Sequence, residues 1–372
     1  MEFNFQNPTR IIFGGGALGK LRQVADSFGP GRILLVTGKT AMRKSGVTGK
    51  IIQELGPERI VTFDQVEPNP SAATVDRGVE ICRKEKCGLL IGLGGGSPLD
   101  AAKAMAVLIN NPGRAEEYLE GKELKHPGLP FIAIPTTSGS GSEVTPFAIL
   151  TIPDKQMKFS LRDPVLYPRV AIIDPLLTAS LPPRQTAATG LDVLAHALES
   201  IWSRNRQPLA ALFAERAIEL IFLHLVRAFR NGGDAAARIG MSEAGMLGGL
   251  AISQTGTTAI HPASYPLTFD FGFEHGLACA IFIPSFFRIN RPVIGDRLAR
   301  LLRILGLENL ESLEGKIQTL MRELEAPICL REIGVKERDL SRLAERGMGK
   351  STVLNPVEVR VEDLEKILKE IY

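Results

Sequence analysis

Strand-like and helix-like segments alternate through the first half of the chain, and the alternation stops at two consecutive prolines. This pattern constrains the fold more than any other feature. Candidate strands are Asn4-Phe5, Arg10 to Phe13, Arg32 to Thr37, Arg59 to Phe63, Gly88 to Leu93, Pro130 to Ile134, Phe147 to Ile152 and Val170 to Asp174. Between them, segments such as Ala72 to Lys86 and Leu99 to Asn110 carry a helical period. Strands alternating with helices imply a mostly parallel, Rossmann-like α/β sheet covered on both faces. Leu181-Pro-Pro-Arg184 is the natural boundary, because paired prolines stop one element and aim the next. Beyond it the reading is all-α: Thr186 to Ser203, Pro208 to Arg230, Ala235 to Gln254, His275 to Ile289, then shorter charged helices. The expected domains are therefore 1–180 and 181–372, with a ligand in a cleft between them.

The composition excludes several classes. The 44 basic and 41 acidic residues nearly cancel, leaving +3 scattered along helical stretches, which makes no electrostatic footprint for nucleic acid. No apolar run reaches membrane-spanning length, and the start lacks the basic and apolar regions of a secretory signal, so the expected compartment is the cytoplasm. Cys82, Cys87, Cys279 and Cys329 do not make a disulfide framework; reduced, mostly buried thiols are expected.

Asp192, His196, His261 and His275 use three of the five histidines and have metal-ligand chemistry. Asp192 and His196 share one face of a helix at i,i+4, with Cβ atoms roughly 5 to 6 Å apart. His261 and His275 bracket a segment containing Pro266 and Gly272, so two elements joined by a tight connection would carry them. Three imidazoles and a carboxylate suit Fe(II), Zn(II) or a similar divalent ion. The alternative is an ordinary i,i+4 pair with two unrelated polar histidines near bends. His126, in a turn, and His224, in an apolar helical run, have no acidic or histidine partner at ligand spacing and are read as structural.

Three loops are rich in glycine or hydroxyls. Gly94 to Ser97 runs from an apolar strand into a helix with Ser97 as expected N-cap and Pro98 at its first position, a loop suited to a pyrophosphate. Gly14 to Gly19 fits Gly-x-Gly-x-x-Gly formally. The strand Arg32 to Thr37 ends in Gly38 instead of the acidic residue that the dinucleotide fingerprint needs, so the match is read as a simple turn. Thr136 to Thr145 packs hydroxyls and glycines into one stretch after a strand, which could serve a ligand or merely connect.

Gly94-Gly-Gly-Ser-Pro-Leu-Asp100, Pro135-Thr-Thr-Ser-Gly-Ser-Gly-Ser-Glu-Val-Thr145, Gly190-Leu-Asp-Val-Leu-Ala-His196 and His261 followed by His275-Gly276, in this order, closely resemble the iron-containing alcohol dehydrogenase family. The resemblance covers nearly the whole chain. Gln254 to His261 with Tyr265-Pro-Leu-Thr268 is similar to its branch of propanediol and related primary-alcohol dehydrogenases. It implies a dehydroquinate-synthase-like fold, and hydride transfer between NAD(P)H and a small aldehyde, primary alcohol or diol. It makes Asp192, His196, His261 and His275 the metal ligands, with Fe(II) as the family metal and Zn(II) also suited. Gly95, Gly96, Ser97 and Asp100 become the pyrophosphate loop, and Thr136, Thr137, Ser140, Thr145, Asn69 and Lys158 bind the rest of the nucleotide. A homo-oligomer, a dimer, is implied, without nucleic-acid or membrane partners.

Three positions set this chain apart. Tyr265 stands where many family members carry a further histidine near substrate; its phenol could hydrogen-bond substrate or pack the pocket wall. Pro262 is expected to kink the helix that carries His261. Gly38 replaces the acidic residue of NAD-preferring members, and with Lys39, Thr40 and Arg43 nearby it predicts NADP preference. Two alternatives stay open: a lyase or synthase of the same fold that uses the nucleotide transiently, and a nucleotide-binding module without turnover.

Overall fold

A computed structural model describes residues 2–155 and 157–372. They form two compact units: residues 7–180, and residues 181–372 together with 2–6.

The first unit holds eight strands: β1 (Arg10–Phe13), β2 (Arg32–Gly38), β3 (Ile60–Val66), β4 (Cys87–Gly94), β5 (Phe131–Pro135), β6 (Phe147–Ile152), β7 (Met157–Arg162) and β8 (Val170–Ile173). Its helices are α1 (Leu21–Asp26), α2 (Ala41–Lys44), α3 (Val47–Leu55), α4 (Ala72–Lys84), α5 (Gly96–Leu108) and α6 (Ala115–Leu119). Six strands make one wholly parallel sheet in the order β1-β8-β5-β4-β2-β3. Side chains alternate across it: Leu34 and Val36 of β2 pack toward α4 and α5, while Ile33 and Leu35 pack toward α1 and α3. Both faces are thus dry, which is why these strands read as continuous apolar runs.

The strand order positions the loops. β3 lies on one side of β2 and β4 on the other, so the chain reverses its progress across the sheet at that junction. In open α/β sheets the carboxyl ends at such a reversal form the ligand crevice. Here those ends are Gly38 and Gly94, and the next strand over, β5, delivers Thr136 beside them. The Gly14–Gly19 loop follows the edge strand β1, far from the reversal in strand order. Its amides already have an anion: Gly16 and Leu18 donate to the buried Asp174 carboxylate at 3.1 and 3.2 Å.

Several expectations need correction. Asn4-Phe5 is not a strand; Phe5 packs its ring on Phe213 of the helical unit, 5.8 Å between centroids. β7 has no counterpart in the sequence reading, because its half-exposed Met-Lys-Phe-Ser-Leu-Arg pairs only with β6 in an antiparallel ribbon. α5 begins at Gly96 with Gly95 as N-cap, so Ser97 and Pro98 lie inside its first turn.

The second unit consists of α7 (Pro183–Trp202), α8 (Pro208–Arg230), α9 (Ala235–Thr255), α10 (Ile260–Asp270), α11 (His275–Ala280), α12 (Ile283–Ile304), α13 (Leu310–Glu323), α14 (Leu340–Arg346) and α15 (Val361–Glu370). Pro183 starts α7 at a position whose missing N–H costs nothing. α7 is buried almost throughout, packing against α8, α9 and α11. The expected helix from His275 to Ile289 is two helices, α11 and α12, broken at Ile281 and Phe282. Pro262 lies in the first turn of α10, where its N–H would have no intrahelical partner, so it does not kink the helix; the interior proline is Pro266.

Candidate metal centre and nucleotide loops

α7 presents Asp192 and His196 one turn apart. His261 comes from the first turn of α10 and His275 from the start of α11, with a tight turn through Gly272 (φ +63°) between them. The four side chains converge. Asp192 Oδ1 lies 3.7 Å from His196 Nε2, 3.5 Å from His261 Nε2 and 3.8 Å from His275 Nε2. A divalent cation ~2.1 Å from four tetrahedral ligands would set them about 3.4 Å apart, so these separations suit a shared ion. Asp192 Oδ1 and His261 Nε2 are buried without a hydrogen-bond partner, an expensive state for a carboxylate and an imidazole unless a cation satisfies both. The donor set therefore fits the ion. His275 is 30% exposed against 10% or less for the other three, which marks the side open to an incoming oxygen.

Close packing makes the convergence possible. A Cβ on Gly276 would sit 1.8 Å from the Ala188 carbonyl oxygen of α7 and 2.9 Å from Asp192 Cβ. Only glycine lets α11 approach closely enough to bring His275 to Asp192.

Glu199 completes the arrangement, and the sequence reading missed it. It is fully buried on α7, where Oε1 accepts from the Thr258 and Ile260 amides and the Thr258 hydroxyl, while Oε2 holds His261 Nδ1. A carboxylate on Nδ1 fixes the ring and leaves Nε2 for the ion. The signal was available: Glu199 follows His196 by three positions on the same helical face.

The electrostatics agree with a cation site. Burial alone would raise Asp192 and Glu199, but the neighbouring imidazoles hold Asp192 well below the usual carboxylate range, and His261 with the Thr258 and Ile260 hydrogen bonds lowers Glu199. Burial would lower His261, yet Glu199 and Asp192 raise it to about 9. Two buried anions demand positive charge here.

Cys279, one turn after His275, also borders the centre. The donor atoms of Asp192, His261, His275 and Cys279 lie within 4.8 Å of one another. Its Sγ is 3.9 Å from both His275 nitrogens and donates to Ser264 Oγ, so the sulfur flanks the ring of His275, whereas His196 Nε2 points at the Asp192 oxygen. Tyr265 lies against His275 at 5.7 Å between ring centroids.

In the α/β unit, seven of the expected nucleotide residues meet at the crevice. Thr136 N donates to Gly94 O at 2.9 Å, and Asn69 N donates to Ser97 Oγ at 3.2 Å. Added Cβ atoms on Gly95 and Gly96 would lie 3.2 Å from Thr137 and 3.0 Å from Ser140, so the two loops close on each other. Asn69 takes φ +53°, a left-handed conformation that asparagine tolerates. Gly38 ends β2 at the same edge, and Lys158 stands on β7 opposite Thr151. Asp100 and Thr145 fall elsewhere: both are buried beneath the loops, with Asp100 accepting from Ser142 and Ile149. Asp100 thus supports the loop from below.

The iron-containing alcohol dehydrogenase profile matches residues 8–175, and that of the C-terminal region of the Fe-containing alcohol dehydrogenase family matches residues 186–372. The chain belongs to the iron-containing alcohol dehydrogenase family. The 1,3-propanediol dehydrogenase of Klebsiella pneumoniae is 30% identical over 100% of this chain and 99% of its own length. An NADPH-dependent butanol dehydrogenase from Clostridium saccharobutylicum is 31% identical over 99% of this chain and 97% of its own. The crystal structure of sulfoacetaldehyde reductase from Bifidobacterium kashiwanohense in complex with NAD+ superposes with a TM-score of 0.94 at 32% identity, covering 100% of this chain and 99% of that one. This dehydrogenase is therefore an NAD(P)-dependent oxidoreductase, and the synthase and non-catalytic alternatives are set aside. Among the described residues no helix is long and apolar enough to cross a membrane.

Proposed function

We propose that this dehydrogenase interconverts small aldehydes with primary alcohols or diols, prefers NADP to NAD, and holds Fe(II), or Zn(II) in its place, through Asp192, His196, His261 and His275. The convergence of four donors from three helices, two of them buried and unsatisfied, carries this reading. When bound, the cation supplies Lewis acidity toward the substrate oxygen and the nicotinamide supplies the hydride chemistry. Glu199 keeps His261 in the tautomer that offers Nε2. The partly exposed edge at His275 admits the substrate oxygen, and Tyr265 packs on His275 as part of the pocket wall. Since position 265 carries no imidazole, we assign the proton's exit to water or a ribose hydroxyl.

For the nucleotide, we assign the pyrophosphate to Gly95, Gly96 and Ser97, and the rest to Gly38, Asn69, Thr136, Thr137, Ser140 and Lys158, with Thr145 acting from beneath. NADP preference is supported at Gly38. The nearest atoms to a Cβ there are Val66 O at 3.6 Å and a Pro98 carbon at 3.9 Å, which leaves space without an acidic competitor. Lys39, Thr40 and Arg43 follow on the surface, with Arg43 only loosely paired to Asp64 at 4.0 Å. A 2′-phosphate would meet cations there. On the resemblance we extend the reading to a cytoplasmic homodimer. The test is kcat/KM with NADPH and NADH across a panel of small aldehydes, beside His261→Ala. Turnover with NADPH favoured, and joint loss of metal and activity in the variant, support the proposal; a clear NADH preference defeats the cofactor assignment, and a variant retaining both metal and activity defeats the site.

A further inference from the structure

A second cluster of ionisable side chains lies wholly inside the α/β unit, beneath the nucleotide loops. Lys103 of α5 is 1% exposed. Its Nζ donates to Thr145 O at 3.0 Å, Phe147 O at 2.7 Å and Thr145 Oγ1 at 3.4 Å, which uses all three ammonium protons. Asp100, one turn earlier on α5, lies 3.9 Å from Nζ and spends one carboxylate oxygen on the loop and one on β6: Oδ1 accepts from Ser142 Oγ at 2.5 Å and Oδ2 from Ile149 N at 3.0 Å. Glu143 is buried beside the pair. Burial draws Lys103 down to about 8 and pushes Glu143 up to about 7, with Asp100 and Lys103 acting on each in turn. Lys103 and Asp100, both costly to bury, hold four positions against one helix: Ser142 and Thr145 of the loop, and Phe147 and Ile149 at the start of β6.

The contacts lead directly to the proposed nucleotide residues. Ser142, held by Asp100, donates its own N–H to Ser140 Oγ at 3.3 Å, and the Ser140 side chain is the one that faces Gly96 across the crevice. α5 therefore contributes twice. Its first turn forms one wall of the crevice, and its second turn fastens the opposite wall from below.

We propose that Lys103, with Asp100, is a positioning residue of the nucleotide site: it fastens the segment 136–149 to α5, so that the hydroxyls facing Gly95–Ser97 are set before the nucleotide arrives. This rests on the nucleotide reading above. Methionine at 103 would fill the same volume but leave the Thr145 and Phe147 carbonyls without a donor and the Asp100 carboxylate without its counter-charge. The segment would then have to be ordered at the expense of binding.

The test compares Lys103→Met and the milder Ser142→Ala with wild type. Read-outs are Kd for NADPH and NADH from nicotinamide fluorescence, bound metal per chain, aldehyde KM at saturating nucleotide, and amide hydrogen exchange over 136–149 without nucleotide. The expected result is a rise of about tenfold in nucleotide Kd for Lys103→Met, the cost of a loop no longer ordered in advance. Exchange over 136–149 should be faster in both variants, while metal content and aldehyde KM stay unchanged. If Lys103→Met fails to fold, Ser142→Ala decides, since it removes one hydroxyl and no charge. Wild type that binds neither nucleotide overturns the functional reading and this one with it. Wild type that binds, with variants of unchanged Kd and unchanged exchange, overturns this one alone.

Discussion

Gly276→Ala is the sharpest test of how the proposed metal centre is assembled. The new methyl carbon would start 1.8 Å from the Ala188 carbonyl oxygen, where real contacts stay beyond 3.0 Å, so α11 must retreat from α7 by at least about 1.2 Å. The obstruction is backbone, which cannot rotate aside as a side chain would. Overpacking of this kind costs about 1–3 kcal/mol, and a chain of this size should still fold. The centre is less tolerant, because metal–ligand distances hold within about 0.2 Å and His275 is the first residue of the helix that moves. Losing His275 as a proposed ligand should weaken binding at least as much as a disrupted supporting hydrogen bond, about 100-fold. Metal per chain after dialysis against a graded chelator series, alongside a thermal melt, separates the two effects. The expected outcome is a melt lowered by a few degrees with metal lost at far weaker chelation than wild type. A folded Gly276→Ala protein that binds metal as tightly as wild type would refute the claim that this close approach places His275.

Three further outcomes follow from the same geometry. Glu199→Ala should lower Zn(II) affinity by about 10- to 100-fold in chelator competition, since His261 Nδ1 loses its anchor; unchanged affinity would remove Glu199 from the centre. Glu143 is raised by burial from 4.5 to about 7 in the fold, so its stabilising contribution is complete below pH 4.5 and is lost as pH climbs through 7. Above that, the buried anion costs at most about 3 kcal/mol, and Glu143→Gln should raise Tm over wild type at pH 8 but not at pH 4.5; an equal difference at both would contradict the assignment. Gly38→Asp should shift the NADPH-to-NADH ratio of kcat/KM toward NADH by at least about tenfold, which is ~1.4 kcal/mol of discrimination, and an unmoved ratio would show that the 2′-position lies elsewhere.

Much of this was legible from residues alone, for identifiable reasons. β2, β4 and β5 are buried on both faces, so they announce themselves as apolar runs, and Pro182-Pro183 marks where strands give way to helices. Asp192 and His196 could be paired because helical spacing is local. Their meeting with His261 and His275 depends on Gly276 and on the packing of α11 against α7, which spacing does not reveal. β7 stayed hidden because it is half exposed and pairs with one neighbour only. Glu199 and Lys103 were passed over for the same reason: a charged residue in an apolar helix looks like a surface residue until its partners, Thr258 and His261 in one case and Thr145 and Phe147 in the other, are brought up from distant sequence.

The Asp174 carboxylate under the Gly14–Gly19 turn has a consequence for any attempt to relocate nucleotide binding in this scaffold. That turn has the formal pattern of a phosphate loop, and its amides point inward at an acceptor. The acceptor is tethered to the same chain, so its local concentration is far above anything a dissolved phosphate reaches in a cell. Enriching the turn in glycine or basic residues would leave that competitor in place. A ligand could claim those amides only after Asp174 itself was removed, and the amide of Leu176, which shares the same carboxylate, would lose its partner in the exchange.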